Sequence, residues 1–452
     1  MKRMFYTALC SSILFPLHER LKGHASVKAR KLLEQTQWWD SARLRELQFT
    51  RLNSLLRHAR DRVPYYQKLF TEIGFDSLRE LSDLTRLPLL SKREIRANLE
   101  GWKAGGARGL VRFSTGGSSG EPLIFFIGRE RVSQDIAAKW RATRWWGVDI
   151  GDREIVVWGS PIELNAQDRL RAIRDKLLRT KLLPAFEMSA RNLDRFVAEI
   201  RCVRPRMLFG YPSALFQIAR HAESKHRRMD DLGIKVAFVT AERLYDEQRH
   251  TISKVFGCAV ANGYGGRDTG FIAHECPQSG MHITAEDVIV EIVDANGNPL
   301  SAGESGEIVV THLATRDFPF VRYRTGDIGV VDDRACSCGR GLPLIREVQG
   351  RTTDFVVSAD GAVMHGLALI YVLRELKRIR AFKIVQENLH HTRVLLIPGP
   401  GFGKSTGERI TEGFKARLGA SVEVTIEKVA ELPQETSGKF RYVVSRVAQA
   451  QA

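Results

Sequence analysis

The sequence predicts an α/β protein: a large N-terminal domain with mixed and parallel sheets and helices, then a small C-terminal α+β module. Three observations lead there. Between residues 132 and 239 short apolar runs alternate with helical periodicity, the rhythm of βαβ units and parallel strands. From Ile283 to Thr311 the pattern becomes strand-rich, with glycine-containing turns at Asn296-Gly297-Asn298-Pro299 and Gly303 to Gly306. Beyond Gly350 the order β-α-β-β-α-β over about 100 residues suggests a ferredoxin-like unit.

The chain has 452 residues, too many for one ordinary core. The predicted cut falls near 350–355, giving a large domain over 1–350, helical over about 1–75, and a small one over 355–452. Lys2-Arg3 followed by Met4 to Leu17 mimics the start of a signal peptide. Thr7, Ser11, Ser12 and Pro16 interrupt the apolar run, and no small-residue cleavage site follows. It is also too short to span a bilayer. The expectation is a helix docked on the body, with a helix lying on a membrane surface as the alternative.

Leu44, Leu47, Phe49, Leu52, Leu55 and Leu56 recur at helical spacing, predicting a helix over 40–72 that Pro64-Tyr65-Tyr66 breaks or kinks. Val132 to Trp146 reads as helix and 155–159 as a buried strand. Next come helix 193–201, strand 207–210, helix 214–224 and strand 236–239. In the small domain the reading is strand 354–358, helix 366–378, strands 381–387 and 392–397, helix 405–418 and strand 421–427.

Lys and Arg number 69 against 52 Asp and Glu, a formal charge of +17. Such a surface favours anionic partners: nucleotide, coenzyme A, nucleic acid or lipid headgroups. With no recognition helix or zinc-finger spacing, a nucleic-acid partner is not expected. Six cysteines make no disulfide framework and fit a reducing cytoplasm. Peripheral contact with the inner membrane surface is the alternative location.

The chemistry concentrates in five stretches. Ser114-Thr115-Gly116-Gly117-Ser118-Ser119-Gly120 combines three glycines and four hydroxyls ahead of an apolar run. Glycine lets backbone N–H groups approach an anion, and hydroxyls add uncharged donors. Alone, a flexible surface loop is the commoner meaning of such composition. Asn262-Gly263-Tyr264-Gly265-Gly266-Arg267-Asp268 offers an aromatic face for a purine and a carboxylate for Mg²⁺, or simply a turn with an exposed Asp. Tyr323-Arg324-Thr325-Gly326-Asp327 sets an Asp after a tight glycine, suited to a ribose diol or to an ordinary β-turn. Gly350 to Asp354 lies at the domain cut. Leu432 to Lys439 ends on a lysine after a glycine-containing segment. Any single lysine in so basic a chain is more often a solvated surface group.

In this order the five stretches resemble the adenylate-forming (AMP-binding) ligase superfamily. The nearest branch is that of phenylacetate–CoA ligases, and within it the ligase-like capsular polysaccharide biosynthesis proteins. Leu56 to Tyr66 and Thr240-Ala241-Glu242-Arg243 extend the likeness over nearly the whole chain. The resemblance implies that Ser114, Thr115, Gly116, Gly117, Ser118, Ser119 and Gly120 close over the β,γ-phosphates of ATP. It implies that Thr240, Ala241 and Glu242 border the adenine and that Tyr264 stacks on it. Asp268 stands where the family has a Glu reaching Mg²⁺. Asp327 would hold the ribose hydroxyls, with Arg351 assisting there or at the phosphates. Thr353 and Asp354 would form the hinge, and Lys439 would be the catalytic lysine of adenylation.

Some positions depart from the pattern. Thr240-Ala241-Glu242-Arg243 replaces Gly-Ala-Glu-Pro, and the acid at 268 is shorter than Glu. Ala362-Val363-Met364-His365-Gly366 replaces a Phe-Pro-containing segment on the domain that presents coenzyme A. The implied activity is ATP-dependent activation of a small carboxylate through an acyl-adenylate, followed by thioester formation with coenzyme A. An alternative passes the acyl group to a sugar, amine or lipid carrier, with membrane-associated polysaccharide assembly machinery as partner. A non-catalytic nucleotide-binding scaffold is the third reading.

Cys276, His282, Cys336 and Cys338 form a separate set, with His274 as an alternative fourth ligand. Four N/S ligands from two loops would close a structural zinc site, whereas reduced cysteines near turns would need no metal. Some relatives in the family carry a similar set. Cys10, Cys202 and Cys258 read as buried small hydrophobes. Gly399 to Ser405 is nearly a P-loop, but Pro398 stands where the first glycine is required, so a strand-to-helix turn is expected.

Overall fold

The computed structural model describes residues 2–115, 123–158, 169–185, 190–351, 355–359, 363–376, 378–430, 432 and 443–447. It begins with helices: α1 (Lys2–Leu9), a π turn (Cys10–Leu14), α2 (Phe15–Leu21), α3 (Ser26–Thr36), α4 (Ser41–Arg62), α5 (Pro64–Glu72) and α6 (Lys92–Ala97). Asp40 caps α4 by accepting from the Arg43 amide at 2.8 Å. Val63 is extended (φ −111°, ψ 110°), so the expected break occurs there. Pro64 starts the next helix from its first position, where its missing N–H costs nothing.

Strands β1 (Val111–Ser114) and β2 (Ile124–Ile127) pair on either side of the Ser/Gly-rich stretch. Next come α7 (Arg129–Trp145), β3 (Glu154–Trp158), α8 (Arg169–Leu177), β4 (Thr180–Pro184), α9 (Ala190–Val203) and β5 (Met207–Gly210). They lead to α10 (Pro212–Ser224), β6 (Val236–Thr240), α11 (Asp246–Phe256) and β7 (Ala259–Gly266). Strands β3 to β7 pair in parallel in the order β7-β6-β5-β3-β4. The central strands β5 and β6 are buried on both faces, as parallel sheets require. Leu208, Ala237 and Val239 pack with Phe196, Ile200, Leu215 and Phe256 of α9 to α11. Met207, Phe209, Val236 and Phe238 pack on the other side with Ala142 of α7.

The sheet continues through β8 (Gly270–Glu275), β9 (Met281–Ile283), β10 (Val288–Val293), β11 (Gly306–His312), β12 (Tyr323–Asp332) and β13 (Leu344–Arg351). Its full order is β10-β11-β12-β13-β9-β8-β7-β6-β5-β3-β4, with β7–β8, β8–β9, β9–β13 and β10–β11 antiparallel. This is the mixed sheet expected of the large domain.

The chain divides into two compact units. One comprises Met1–Phe113, Ile124–Thr325 and Gly329–Val348; the other comprises Ser114–Leu123, Gly326–Ile328 and Gln349–Ala452. The second contains β14 (Phe355–Val357), β15 (Val363–His365), α12 (Leu367–Arg374), β16 (Ile379–Asn388), β17 (His391–Pro398), α13 (Lys404–Leu418), β18 (Glu423–Lys428) and β19 (Val443–Ser445). Its four-stranded sheet runs β18-β17-β16-β19. The β-α-β-β-α-β sequence of elements is present, but the sheet order is not ferredoxin-like. The first strand instead forms a hairpin with β15. Fully buried Gln386 ties that hairpin down: its amide accepts from Val357 N at 2.9 Å and donates to Val357 O, replacing a ladder. Gly399 to Gly403 form the turn from β17 to α13, as expected of the P-loop decoy.

Candidate active site

Adjacent parallel strands bring the ends of β6 and β7 side by side, with Thr240 and Gly263 register partners. The chain crosses from β4 to β5 on the opposite side of β3, making a topological switch point. In such sheets the crevice beyond the carboxyl ends of the strands is where ligands bind. Thr240, Ala241 and Glu242 leave β6 at that edge, Tyr264 sits on β7, and Asp268 lies in the turn to β8.

The local backbone is unusual for its sequence. Ala241 has φ +70°, a left-handed conformation costing about 1–2 kcal/mol for a residue with a Cβ. Strain of this kind gathers at functional positions. A Cβ on Gly265 would stand 2.2 Å from the Gly270 carbonyl oxygen, so only glycine allows this bulged hairpin to close.

Asp268 is nearly buried, and its Oδ2 accepts a 2.7 Å hydrogen bond from the Tyr323 hydroxyl. Its carbonyl accepts from Arg131 at 3.3 and 3.4 Å, and Arg131 also bonds Asp135 at 2.9 Å. Arg131 and His312 are almost fully buried, and burial together with the Arg131 charge pushes His312 down to about 4. The carboxylate is therefore held from the tyrosine side and its backbone from the arginine side. Tyr323 stands inside a motif the sequence singles out, yet its role appears only from the bond to Asp268. Arg131 carried no signal, being one basic residue of many on a helix.

At the Ser/Gly-rich stretch the described part is the neck. The Thr115 amide donates to Leu123 O at 3.0 Å, and the Leu123 amide donates to the Thr115 hydroxyl at 2.9 Å. Gly116 to Gly120 lie outside the described residues, as do Thr353, Asp354 and Lys439. Asp327 follows Gly326, whose φ of +78° favours glycine, and lies within β12 rather than in a surface turn. Arg351 ends β13. Ser114, Thr115, Asp327 and Arg351 group with the second unit, Thr240 to Asp268 with the first.

Residues 181–314 match the family model of the AMP-binding enzyme, and residues 356–446 that of the CapK C-terminal domain. The first stretch holds Thr240 to Glu242, Tyr264 and Asp268. Protein CapK of Staphylococcus aureus is 22% identical over 407 residues, covering 89% of each chain. A phenylacetate-coenzyme A ligase of Thermus thermophilus is 25% identical over 435 residues, covering 89% of this chain and 96% of that one. The crystal structure of 2-hydroxyisobutyryl-CoA ligase in its postadenylation state is 20% identical, with a TM-score of 0.67 over 91% of both chains. The chain is thus similar to adenylate-forming ligases in both of its matched stretches and over most of its length.

The chain also carries the expected Cys/His cluster. The ligand atoms of Cys276, His282, Cys336 and Cys338 lie within 4.8 Å of one another. Cys276 Sγ is 3.7 Å from Cys336 Sγ, and His282 Nε2 is 3.1 Å from Cys338 Sγ. His282 Nδ1 lies 3.2 Å from the Leu342 carbonyl, which leaves Nε2 as the ligand nitrogen. A Cβ at Gly280 would stand 2.5 Å from Cys336 Sγ, so glycine keeps the cradle open. His274 is not part of the set: it is buried between Phe271 and Phe238, with both ring nitrogens unpartnered. Cys10 and Cys258 are buried as expected, but Cys202 is exposed.

Proposed function

We propose that this protein activates a small carboxylic acid with ATP and transfers the acyl group to coenzyme A. A carboxylate oxygen attacks the α-phosphorus, the bond to the bridging α,β-oxygen breaks, and pyrophosphate leaves. The coenzyme A thiolate then attacks the acyl carbon and AMP leaves. The observation that carries this reading is the placement of Thr240 to Glu242, Tyr264 and Asp268. They share the carboxyl edge of the parallel sheet, inside the stretch matching the AMP-binding enzyme.

Thr240, Ala241 and Glu242 border the adenine in this reading, and Tyr264 stacks on it. Asp268, a hard oxygen donor, holds the Mg²⁺ that offsets phosphate charge when bound. Ser114 to Gly120 direct amides and hydroxyls at the β,γ-phosphates. Asp327 takes the ribose hydroxyls, with Arg351 beside them. Lys439 supplies the cation for the transition state, delivered by rotation about Thr353 and Asp354. The acceptor has a second reading, since residues 356–446 match the CapK C-terminal domain. Under it the acyl group passes to a sugar, amine or lipid carrier of surface-polysaccharide assembly.

The Cys/His cluster suits structural zinc. Tetrahedral Zn–S bonds of ~2.3 Å put sulfurs about 3.8 Å apart, close to the 3.7 Å between Cys276 and Cys336. Zinc would tie the β8–β9 turn to the loop before β13.

Pyrophosphate release across a panel of carboxylic acids, with and without coenzyme A, tests the reaction. Acid-dependent release that Lys439→Ala abolishes supports the account. Release unaffected by Lys439→Ala in folded protein overturns that assignment, and an acyl product requiring a sugar or amine instead of coenzyme A establishes the second acceptor.

A further inference from the structure

The first helices carry an apolar stripe that the protein leaves uncovered. Phe5, Leu9, Ile13, Leu17 and Leu21 recur every fourth residue along α1, the π turn and α2. Phe5, Ile13, Leu17 and Leu21 are exposed by 74, 56, 54 and 81%. In a pure α-helix of 3.6 residues per turn, a four-residue repeat drifts steadily around the axis. The wider π turn at Cys10–Leu14 counters that drift.

The opposite side of the same helices is docked on the body. Cys10 packs against Gly151, where a Cβ would come within 2.3 Å of the cysteine Cβ. Phe15 meets Trp140 edge-on at 5.1 Å, and Glu19 is buried against His18, His24 and Ser26. The stripe is therefore displayed by a held helix. The Tyr6 hydroxyl bonds Leu177 O at 2.9 Å, which sets α8 alongside. There Ile173 and Leu177 are exposed as well.

The flank of the helix carries an excess of cations. Thr7, Ala8, Ser11 and Ser12 line one wall of a cleft of about 760 Å³. Five arginines line it, Arg144, Arg153, Arg179, Arg204 and Arg206, against three aspartates, Asp149, Asp152 and Asp231. Arg153, Arg179 and Arg206 each directly precede a parallel strand, β3, β4 and β5, so the cleft lies at the amino edge of the sheet. The candidate active site is at the carboxyl edge. Several of these arginines cap carbonyls, as Arg153 does Val203 at 2.9 Å. Arg144, Arg204 and Arg206 pair with Asp149, Asp231 and Asp152 at 3.3, 4.0 and 3.5 Å, yet their side chains keep 39, 44 and 41% of their surface in solvent. Arg20 and Lys22 add exposed cations at the end of α2.

We infer that this face docks on an anionic lipid bilayer. The stripe enters the boundary between headgroups and acyl chains, and the arginine cleft with Arg20 and Lys22 takes the lipid phosphates. Charge complementarity selects this occupant: an apolar stripe rimmed by cations suits a negative membrane surface better than a second copy of the same basic face. Among the described residues no helix is long and apolar enough to cross a membrane, so the contact is peripheral.

Co-sedimentation of the full chain with phosphatidylglycerol vesicles and with phosphatidylcholine vesicles tests the inference. The expected result is at least tenfold stronger partition onto phosphatidylglycerol, weakening with salt. Leu17→Glu/Leu21→Glu should lower it at least tenfold, and Arg204→Gln about fivefold, as one surface cation is worth ~1 kcal/mol. Light scattering on the same variants separates a lipid surface from self-association. Equal partition onto both vesicle types, no partition, or a dimer that Leu17→Glu/Leu21→Glu splits without affecting vesicle binding would overturn it. Adenylation in solution should be unchanged in these variants, so loss of vesicle binding stays distinct from loss of the proposed activity.

Discussion

The Tyr323 hydroxyl donates a 2.7 Å hydrogen bond to Asp268 Oδ2 across 55 residues of sequence. It fixes one oxygen of the carboxylate that the proposed mechanism gives to Mg²⁺. Tyr323 itself is fully buried and packs beside Phe320, so its ring orientation is set by the core. It is thus a positioning residue.

Tyr323→Phe should keep the fold and lose about 1 kcal/mol of stability, the net worth of one such bond. Carboxylate-dependent pyrophosphate release should fall about tenfold at low Mg²⁺ and recover at high Mg²⁺, corresponding to ~1.4 kcal/mol. A Mg²⁺ titration of both proteins measures this. Parallel curves offset by the same factor at every Mg²⁺ concentration would contradict the positioning role.

Ala241 gives a backbone test. Its φ of +70° is hardest on a β-branched side chain. Ala241→Val should destabilise by about 1–2 kcal/mol and raise the KM for ATP. Ala241→Gly should be near neutral, since relief of strain is offset by about 0.5–1 kcal/mol of added chain entropy. Thermal melts with ATP kinetics on the two variants check both expectations.

His274 and His312 predict acid sensitivity. Burial pushes His274 down to about 3 and His312 to about 4, so both stay neutral in the fold. The unfolded chain takes up these protons below about 6.5, so the folded state loses stability as pH falls from there toward 4. At pH 5 each group can cost about 2 kcal/mol. His274→Phe removes one such site, together with two unpartnered ring nitrogens. Denaturant melts between pH 4.5 and 7.5 should show a shallower slope for this variant; an unchanged slope would rule out His274 as a source.

For the Cys/His cluster, purified protein should hold about one zinc per chain by elemental analysis. Cys338→Ser should lower the zinc content and the melting temperature together. Zinc-free wild-type protein with the same melting temperature would remove the metal from the account.

Legibility in the sequence followed burial. Strands β5 and β6 are fully buried apolar runs and were readable to within a residue, 207–210 and 236–239 against Met207–Gly210 and Val236–Thr240. Pro64 announced its break because proline acts locally. The basic run Arg171 to Lys181 reads only as charge, yet it forms most of α8 and the start of β4. Its polar residues mask the apolar period. The hairpin of β14 and β15 was unreadable because a single glutamine, Gln386, replaces the expected ladder. At the candidate site Tyr264 and Asp268 stood out in the sequence through the glycines around them. Their supports Tyr323 and Arg131 were not legible, because a hydrogen bond between distant segments leaves no periodic trace.

The most direct test is ATP–pyrophosphate exchange driven by a panel of carboxylic acids, comparing wild type with Asp268→Asn. The account predicts acid-dependent exchange in the wild type, reduced at least a hundredfold in Asp268→Asn with an unchanged melting profile. Exchange that needs no carboxylate, or that survives intact in Asp268→Asn, would contradict it.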